Sequence, residues 1–297
     1  MKDMQRLWEG AEDGEEISEG RFAKDTLERY SGCLVEDFCS NLILTNFPKY
    51  VDYFSETRGV QISEGSMFKV AHCPKEDVSM LDFKIGSPAA ALVVDLCSFL
   101  PVKSAILLGM CGGLRRRYKI GEYLVPIAAI RGEGTSDFYF PHEVPALANF
   151  LMQKAVTDVM ENQKGTYHIG ITYTGNMRFW EFNEDFVSKL KVTKAQAYEM
   201  ECATLFTASY KRKFTLGALL LISDLPLERN GVKTKESAAQ IFKQFMPDHI
   251  EKGVAILKRS REMQELLIKG AYHRNIGMGH KLRERALEQM QEESPSS

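Results

Sequence analysis

The sequence predicts an α/β fold, a central sheet with helices on both faces. Apolar runs typical of strands alternate with segments of helical apolar spacing from Leu42 to about Arg259. Two of the runs, residues 105–109 and 216–223, are apolar almost throughout, as in strands that are covered on both sides. No linker and no internal repeat interrupts the alternation, so we predict one domain over residues 41–260.

The elements follow from apolar periodicity and from turn residues. A helix is expected to start through Ser87, with Pro88 in its first turn. Strands are predicted at 41–45, 66–73, 78–86, 105–109, 121–134, 166–175 and 214–224, and helices at 50–59, 87–100, 144–163, 184–191 and 201–213.

Both flanks of the domain are charged and helical in composition. Residues 1–40 are predicted to form a docked helical arm rather than a domain, with a break at Ser31 and Gly32. Residues 261–297 are predicted to form a helical extension, in which Met263, Leu266 and Leu267 need covering. A surface helix and an oligomer contact both explain that extension.

Composition excludes several classes of function. The 38 Lys and Arg nearly balance the 40 Asp and Glu, so no charge pattern for nucleic acid or an anionic membrane exists. No apolar window approaches the roughly 18 residues of a membrane helix, and the acidic N-terminus lacks an apolar signal core. The six cysteines form no CxxC pair, so we expect neither a metal site, nor a disulfide frame, nor a cofactor. A cytoplasmic location follows as a prediction.

Two carboxylates stand in EMECATLF, residues 199–206, ahead of a predicted helix. Glu199 and Glu201 would point to opposite sides of an extended segment, so at most one would face a given pocket. Acidic residues at a helix start are favoured by the helix dipole, which is the structural interpretation. A carboxylate there is equally suited to accept two hydrogen bonds from a diol such as a ribose.

A second candidate is LLLISDLP, residues 219–226, where a buried strand ends in Ser223 and Asp224. Ligands of open α/β sheets bind at the carboxyl ends of strands, and a partly buried Asp there can act as a general acid. Capping of the following turn is the alternative.

A third candidate is the glycine turn ILLGMCGG, residues 106–113, which also ends a strand. It lacks both the GxGxxG and the P-loop spacing, so it is a pocket wall rather than a phosphate cradle. The arginines at 115–117 fit a solvated face.

Together, these three segments resemble the superfamily of purine nucleoside phosphorylases, uridine phosphorylases and nucleosidases. The surrounding DTLERYSG, LILTNFPKYVDYF, IGSPAAA and IRGEGTSDFYFP look like the short bacterial AMP nucleosidases within it. The resemblance implies a three-layer α/β/α fold around a mixed, partly barrel-like sheet. It also implies a homo-oligomer, with a hexamer suspected, that hydrolyses AMP to adenine and ribose 5-phosphate.

The resemblance implies roles for the residues of the three motifs. Glu201 would hold the ribose, with Met200 packed on the sugar, and Glu199 lies in the same motif. Asp224, assisted by Ser223, would contact purine N7 and the exocyclic amine. The residues implied to line the base and sugar are Phe179, Asn46, Gly109, Met110, Cys111 and Gly112.

Departures from the family favour hydrolysis over phosphorolysis. Leu107 and Met110 stand where phosphorylases carry phosphate-gripping residues, and Asn46 and Tyr50 replace two further contacts. Tyr50 also occupies roughly the place of a water-activating Glu in related nucleosidases. Candidate ligands of the 5′-phosphate of AMP are Arg178, Arg131, Lys49, Thr135 and Ser136. A phosphate-dependent purine or uridine phosphorylase and a catalytically silent nucleotide-binding protein are the alternatives.

Overall fold

The computed structural model describes residues 18–163 and 165–268 of the chain. The strands are β1 (Asn41–Thr45), β2 (Ile62–Glu64), β3 (Lys69–Cys73), β4 (Val78–Asp82), β5 (Ser104–Gly113), β6 (Tyr123–Gly132), β7 (Ala146–Leu147), β8 (Tyr167–Gly175), β9 (Ala197–Glu199) and β10 (Leu216–Asp224). The helices are α1 (Glu19–Ser31), α2 (Pro48–Arg58), α3 (Ser87–Cys97), α4 (Phe150–Asn162), α5 (Glu184–Thr193), α6 (Cys202–Arg212) and α7 (Lys235–Ile268).

The strands form one mixed sheet, part of which closes on itself. The order is β10-β6-β8-β9-β5-β1-β4-β3-β2, and β10 also pairs with β5. The second pairing closes a ring of five strands, β5, β10, β6, β8 and β9. The predicted α/β fold with a partly barrel-like sheet is therefore confirmed.

Helices cover the sheet from two sides and bury two apolar cores. One core joins α1, α3 and α6 to the sheet through residues such as Leu27, Val93 and Phe206. The other joins α2, α4 and α7 to the opposite side through residues such as Phe54 and Val156. Strands β1, β4, β5 and β10 are buried along their whole length, as the continuous apolar runs predict.

Several elements differ from the predictions. The three-residue strand β9 and the two-residue strand β7 are too short to produce a periodic signal. Helix α3 begins at Ser87, but Gly86, with a φ of 98°, occupies the cap position, and no side chain caps the helix. The Ser87 hydroxyl instead donates to the carbonyl of Met200 at 2.8 Å. This contact ties the start of α3 to the EMECATLF segment.

The flanking segments are described only in part. Helix α1 starts at its cap Ser18 and ends at Gly32 with a φ of 72°, as the predicted break requires. Helix α7 runs through residue 260 to Ile268, and Met263 is buried in the core. The rest of both predicted flanks, residues 1–17 and 269–297, lies outside the described residues. Among residues 18–163 and 165–268, no helix is long and apolar enough to cross a membrane.

Candidate active site

A cavity of about 340 Å³ lies where several strands end, which is where a sheet of this class binds ligands. Its wall is built from the segments that follow β1 and β8 and from the last residues of β5, β9 and β10. The structure brings together ten of the predicted site residues there: Asn46, Met110, Cys111, Gly112, Arg178, Glu199, Met200, Glu201, Ser223 and Asp224. The three motifs, which are far apart in the sequence, thus share one cavity.

Glu199 is a buried anchor for the start of α6. One carboxylate oxygen accepts the backbone N–H groups of Glu201, at 2.7 Å, and Cys202, at 2.6 Å. The other accepts the hydroxyl of Thr174. These contacts satisfy the carboxylate inside the protein, so Glu199 follows the helix-start interpretation of its motif.

Glu201 is held in place differently, with its carboxylate at the cavity. Its Oε1 accepts the backbone N–H of Gly86 at 2.8 Å, and the side chain of Asn46 also donates to it. Burial and the nearby charge of Glu199 raise its pKa to about 7, against the opposing effect of these hydrogen bonds. The binding of a ribose by Glu201 stays a prediction, and its place in the cavity lining is compatible with it.

Asp224 reaches the cavity through an irregularity in β10. The pairing of β10 with β5 shifts between Ile222 and Asp224, so Ser223 is the extra residue of a bulge. The Ser223 hydroxyl lies 2.7 Å from Asp224 Oδ1 and holds the carboxylate in one orientation. Opposite Asp224, Gly112 leaves no room for a side chain, because a Cβ would lie 2.9 Å from Cγ of Pro226. A glycine at position 112 therefore allows β5 to pack closely against Pro226, just after β10.

Lys233 is a cavity residue that the sequence analysis missed. Its Nζ lies 3.8 Å from Asp224 Oδ1 and 3.9 Å from the sulfur of Met110. Burial lowers its pKa, although Asp224 opposes that shift. Lys233 stands in a polar loop with no motif, and only the folded chain brings it to Asp224.

Further cavity residues come from the segment after β8. Trp180 and Glu181 line the cavity, and the nitrogen Nη1 of Arg178 lies 3.3 Å from Oε1 of Glu181. A carboxylate this close repels a phosphate group, which weakens the prediction that Arg178 binds the 5′-phosphate. Phe179, the predicted stacking residue, does not line the cavity and is 74% exposed. A sequence signal for Trp180 and Glu181 existed, since they directly follow Phe179.

Arg131, Thr135 and Ser136 do not reach the cavity, which corrects their assignment as phosphate ligands. Arg131 is buried, and its guanidinium donates all five of its N–H groups within the protein. The acceptors are the Ser136 hydroxyl, the Asp137 carboxylate and the carbonyls of Phe140, Pro141 and Val144. No donor is left for a phosphate, so Arg131 holds the loop after β6 in shape.

Two further predicted positions also serve packing. Gly109 lies inside the sheet, where a Cβ would meet Leu220 at 3.1 Å, and it does not line the cavity. Tyr50 is buried, and its hydroxyl donates to Nδ1 of His249 at 2.8 Å. Burial raises the pKa of Tyr50 far above its usual value, so it is unsuited to take a proton from water. Lys49, the neighbouring candidate, lies 5.1 Å from the ring centre of Phe242, a cavity residue.

Comparisons with known proteins agree with this architecture. The Escherichia coli (strain K12) AMP nucleosidase is 24% identical over 278 residues, which cover 78% of this chain and 57% of that protein. The chain thus spans little more than half the length of this curated relative. The uridine phosphorylase of Thermococcus kodakarensis is 28% identical over 172 residues, which cover 54% of this chain and 62% of that protein.

Solved structures show the same fold. The crystal structure of AMP nucleosidase from Bacteroides thetaiotaomicron VPI-5482 matches with a TM-score of 0.73 and 37% identity, over 83% of this chain and 100% of that one. A uridine phosphorylase from Vibrio fischeri ES114 matches with a TM-score of 0.68 at 19% identity, over 81% of this chain and 99% of that one. The family described as the phosphorylase superfamily matches residues 36–260. The chain therefore belongs to the phosphorylase superfamily.

Proposed function

We propose that this chain hydrolyses the N-glycosidic bond of AMP and releases adenine and ribose 5-phosphate. The observation that carries the proposal is that Glu201 and the Asp224–Lys233 pair share one cavity of a size suited to a small ligand. The AMP nucleosidases of Escherichia coli and Bacteroides thetaiotaomicron, to which this chain is similar, support adenine as the base.

Glu201 acts on the sugar. Its carboxylate, oriented by Gly86 and Asn46, accepts hydrogen bonds from the ribose hydroxyls. Its negative charge also stabilises the positive charge that develops at C1′ as the bond breaks. Met200, whose carbonyl is fixed by Ser87, packs beside it.

Asp224 acts on the leaving group. When the bond between C1′ and N9 breaks, its electron pair moves into the purine ring, and a proton delivered to N7 neutralises the ring. Lys233, 3.8 Å from Asp224, is the source of that proton, because burial lowers its pKa and makes it a better donor than an ordinary lysine, and Asp224 is the group that delivers the proton to N7. The oxygen of a water molecule bonds to C1′, and the remaining proton of that water passes to solvent.

The phosphorolysis alternative is disfavoured by the residues at the glycine turn. Leu107 is packed in the apolar core, and Met110 presents a thioether to the cavity, so neither supplies a donor for inorganic phosphate. Uridine phosphorylases are nevertheless among the similar proteins, and the assay below therefore includes phosphate.

The 5′-phosphate ligand, the oligomeric state and the cellular location stay predictions. Lys49, whose ammonium group lies 5.1 Å from the ring centre of the cavity residue Phe242, stays a predicted ligand of the 5′-phosphate. Phe179 and Phe182, 74% and 78% exposed, support the proposed homo-oligomer, because large exposed aromatic side chains favour association. The hexamer and the cytoplasmic location stay predictions.

The test measures adenine release from AMP by the purified full chain, with and without inorganic phosphate. Wild-type protein is expected to release adenine without phosphate, and Asp224→Asn is expected to lower kcat by about 10²–10⁴-fold. Asp185→Asn, an exposed acid on α5, is the matched control and is expected to retain full activity.

Two results would contradict the proposal. Turnover that requires phosphate would identify a phosphorylase. No release from AMP, adenosine or methylthioadenosine would favour the silent nucleotide-binding protein.

A further inference from the structure

Glu181 is an acidic cavity residue that the mechanism above does not use. Its side chain is only 5% exposed, and its Oε1 has a single contact, with Arg178 at 3.3 Å. Its Oε2 is buried and has no hydrogen-bond partner. A buried polar atom without a partner is unfavourable by about 1–3 kcal/mol, more for a charged group, so such atoms are rare in folded proteins.

A structural role does not account for this carboxylate. Glu199, the structural carboxylate of the same cavity, uses both oxygens to bind backbone and hydroxyl donors. Glu181 is tied only to the guanidinium of Arg178, which is itself 52% exposed. Because Oε2 is covered, it reaches a ligand only if the side chain turns, and that turn breaks a single long ion pair.

The surroundings of Glu181 place it on the Asp224 side of the cavity. Arg178, its partner, lies close enough to Lys233 for its positive charge to lower the pKa of Lys233. Lys233 in turn lies 3.8 Å from Asp224. The ion pairs Glu181–Arg178 and Asp224–Lys233 thus line the same cavity, and Asp224 is the group assigned to the purine base.

We propose that Glu181 turns toward the bound base and accepts a hydrogen bond from its exocyclic amine, so that it selects 6-aminopurines over 6-oxopurines. This inference rests on the proposed function, since it takes adenine as the leaving base. The amine carries two N–H groups. Asp224 accepts the one on the N7 side, and Glu181 accepts the other.

The selectivity follows from the chemistry of the two bases. An ionised carboxylate has acceptors and no donor, so it bonds to an amine and repels the carbonyl oxygen of a 6-oxopurine. Sites built to bond a polar substrate group reject analogues that lack it by large factors, because the buried protein group is left unpaired. We expect wild-type protein to prefer adenine over hypoxanthine by about 100-fold or more.

The experiment compares Glu181→Gln with wild type. The glutamine has the same shape but can donate to a carbonyl, so the preference for amino over oxo bases is expected to fall at least about tenfold. Two ratios are measured: kcat/KM for AMP over IMP, and the dissociation constant of hypoxanthine over that of adenine, by calorimetry with ribose 5-phosphate present. Glu184→Gln, an exposed carboxylate at the start of α5, is the control and leaves both ratios unchanged.

A second variant separates selectivity from folding. Glu181→Asp keeps the charge on a shorter side chain that does not reach the base, and it is expected to lose the same preference. Equal weakening of adenine and hypoxanthine in both variants would indicate a structural role and would overturn the inference. Failure of the wild-type protein to bind either base would also overturn it.

The binding ratio distinguishes failure of the inference from failure of the proposed function. If AMP is not hydrolysed but Glu181→Gln still shifts the ratio of base affinities, the proposed reaction is wrong and the role of Glu181 stands. If AMP is hydrolysed and both ratios stay at their wild-type values, the inference about Glu181 is wrong.

Discussion

Strands β6 and β8 end side by side, and the arginines near their ends differ in how many hydrogen bonds they make inside the protein. The two strands run parallel, with Arg131 beside Thr174 and Gly132 beside Gly175. At the end of β6, Arg131 donates every N–H of its guanidinium to the protein. After β8, Arg178 is half exposed with one 3.3 Å contact to Glu181, and an oxygen of Glu181 has no partner.

The comparison separates groups that build the site from groups that are free to bind. A buried polar group whose bonds are complete inside the protein stabilises the fold and has little to offer a ligand. An incomplete group beside a cavity is stabilised when a ligand completes it. Glu199 and Glu201 both accept backbone N–H groups with their carboxylates, so this distinction applies to Arg131 and Glu181 rather than to that pair.

The largest expected effect comes from Arg131→Lys. A lysine has three donors in place of five, so at least two of these hydrogen bonds to a charged group are lost, and the free energy of unfolding is expected to fall by about 2–6 kcal/mol. Denaturant unfolding measures this change. The activity of the protein that remains folded is expected to stay near the wild-type value, because Arg131 does not line the cavity. Wild-type stability combined with lost activity would instead place Arg131 in the site.

His249 is a second buried group whose hydrogen bonds are all made inside the protein, and its effect on stability can be tested by changing the pH. Its ring lies between the hydroxyl of Tyr50 and the carbonyl of Leu219, and burial lowers its pKa from 6.5 to about 4. Below pH 6.5 His249 becomes protonated in the unfolded chain but stays neutral in the folded chain. The free energy of unfolding therefore falls as the pH is lowered from 6.5 to 4. The shift corresponds to about 3 kcal/mol at most.

The measurement compares wild type with His249→Gln by denaturant unfolding at pH 7 and pH 4. Between these values, wild type is expected to lose about 3 kcal/mol more than the variant. Glu201 acts in the opposite direction, since its pKa of about 7 in the folded chain gives stability below pH 4.5 that is lost as the pH rises to 7. Both proteins share that contribution, so it cancels. Parallel pH curves would show that His249 is not held neutral.

The smallest effect is expected for Arg178→Lys, the counterpart of the first substitution. The lysine keeps a positive charge near Glu181, and a partly exposed ion pair contributes less than about 1 kcal/mol to stability. Thermal unfolding should therefore give a melting temperature close to that of wild type. A loss as large as that of Arg131→Lys would remove the difference between the two arginines on which the comparison depends.

Much of the fold and part of the site could be predicted from the sequence. Buried strands such as β5 and β10 are continuous apolar runs. Asp224 stands at the end of such a strand and Glu201 at the start of a predicted helix, and both places are recognisable in the sequence. Strand β9 was not predicted, because a strand of three residues is too short to show an alternation of apolar and polar residues. The donors of Arg131 were misassigned, because a sequence shows which residue can bind a phosphate but not whether its hydrogen bonds are already taken.

The sequence by itself determined the layered fold and the order of the motifs, because apolar periodicity and turn chemistry are local properties of the chain. Only the tertiary structure decided which polar groups have partners inside the protein and which do not. It brought Lys233 to Asp224, closed the bonds of Glu199 and left an oxygen of Glu181 without a partner. The physical reason is that hydrogen-bond satisfaction and electrostatic coupling depend on distances between residues far apart in the sequence, which exist only once the sheet has closed.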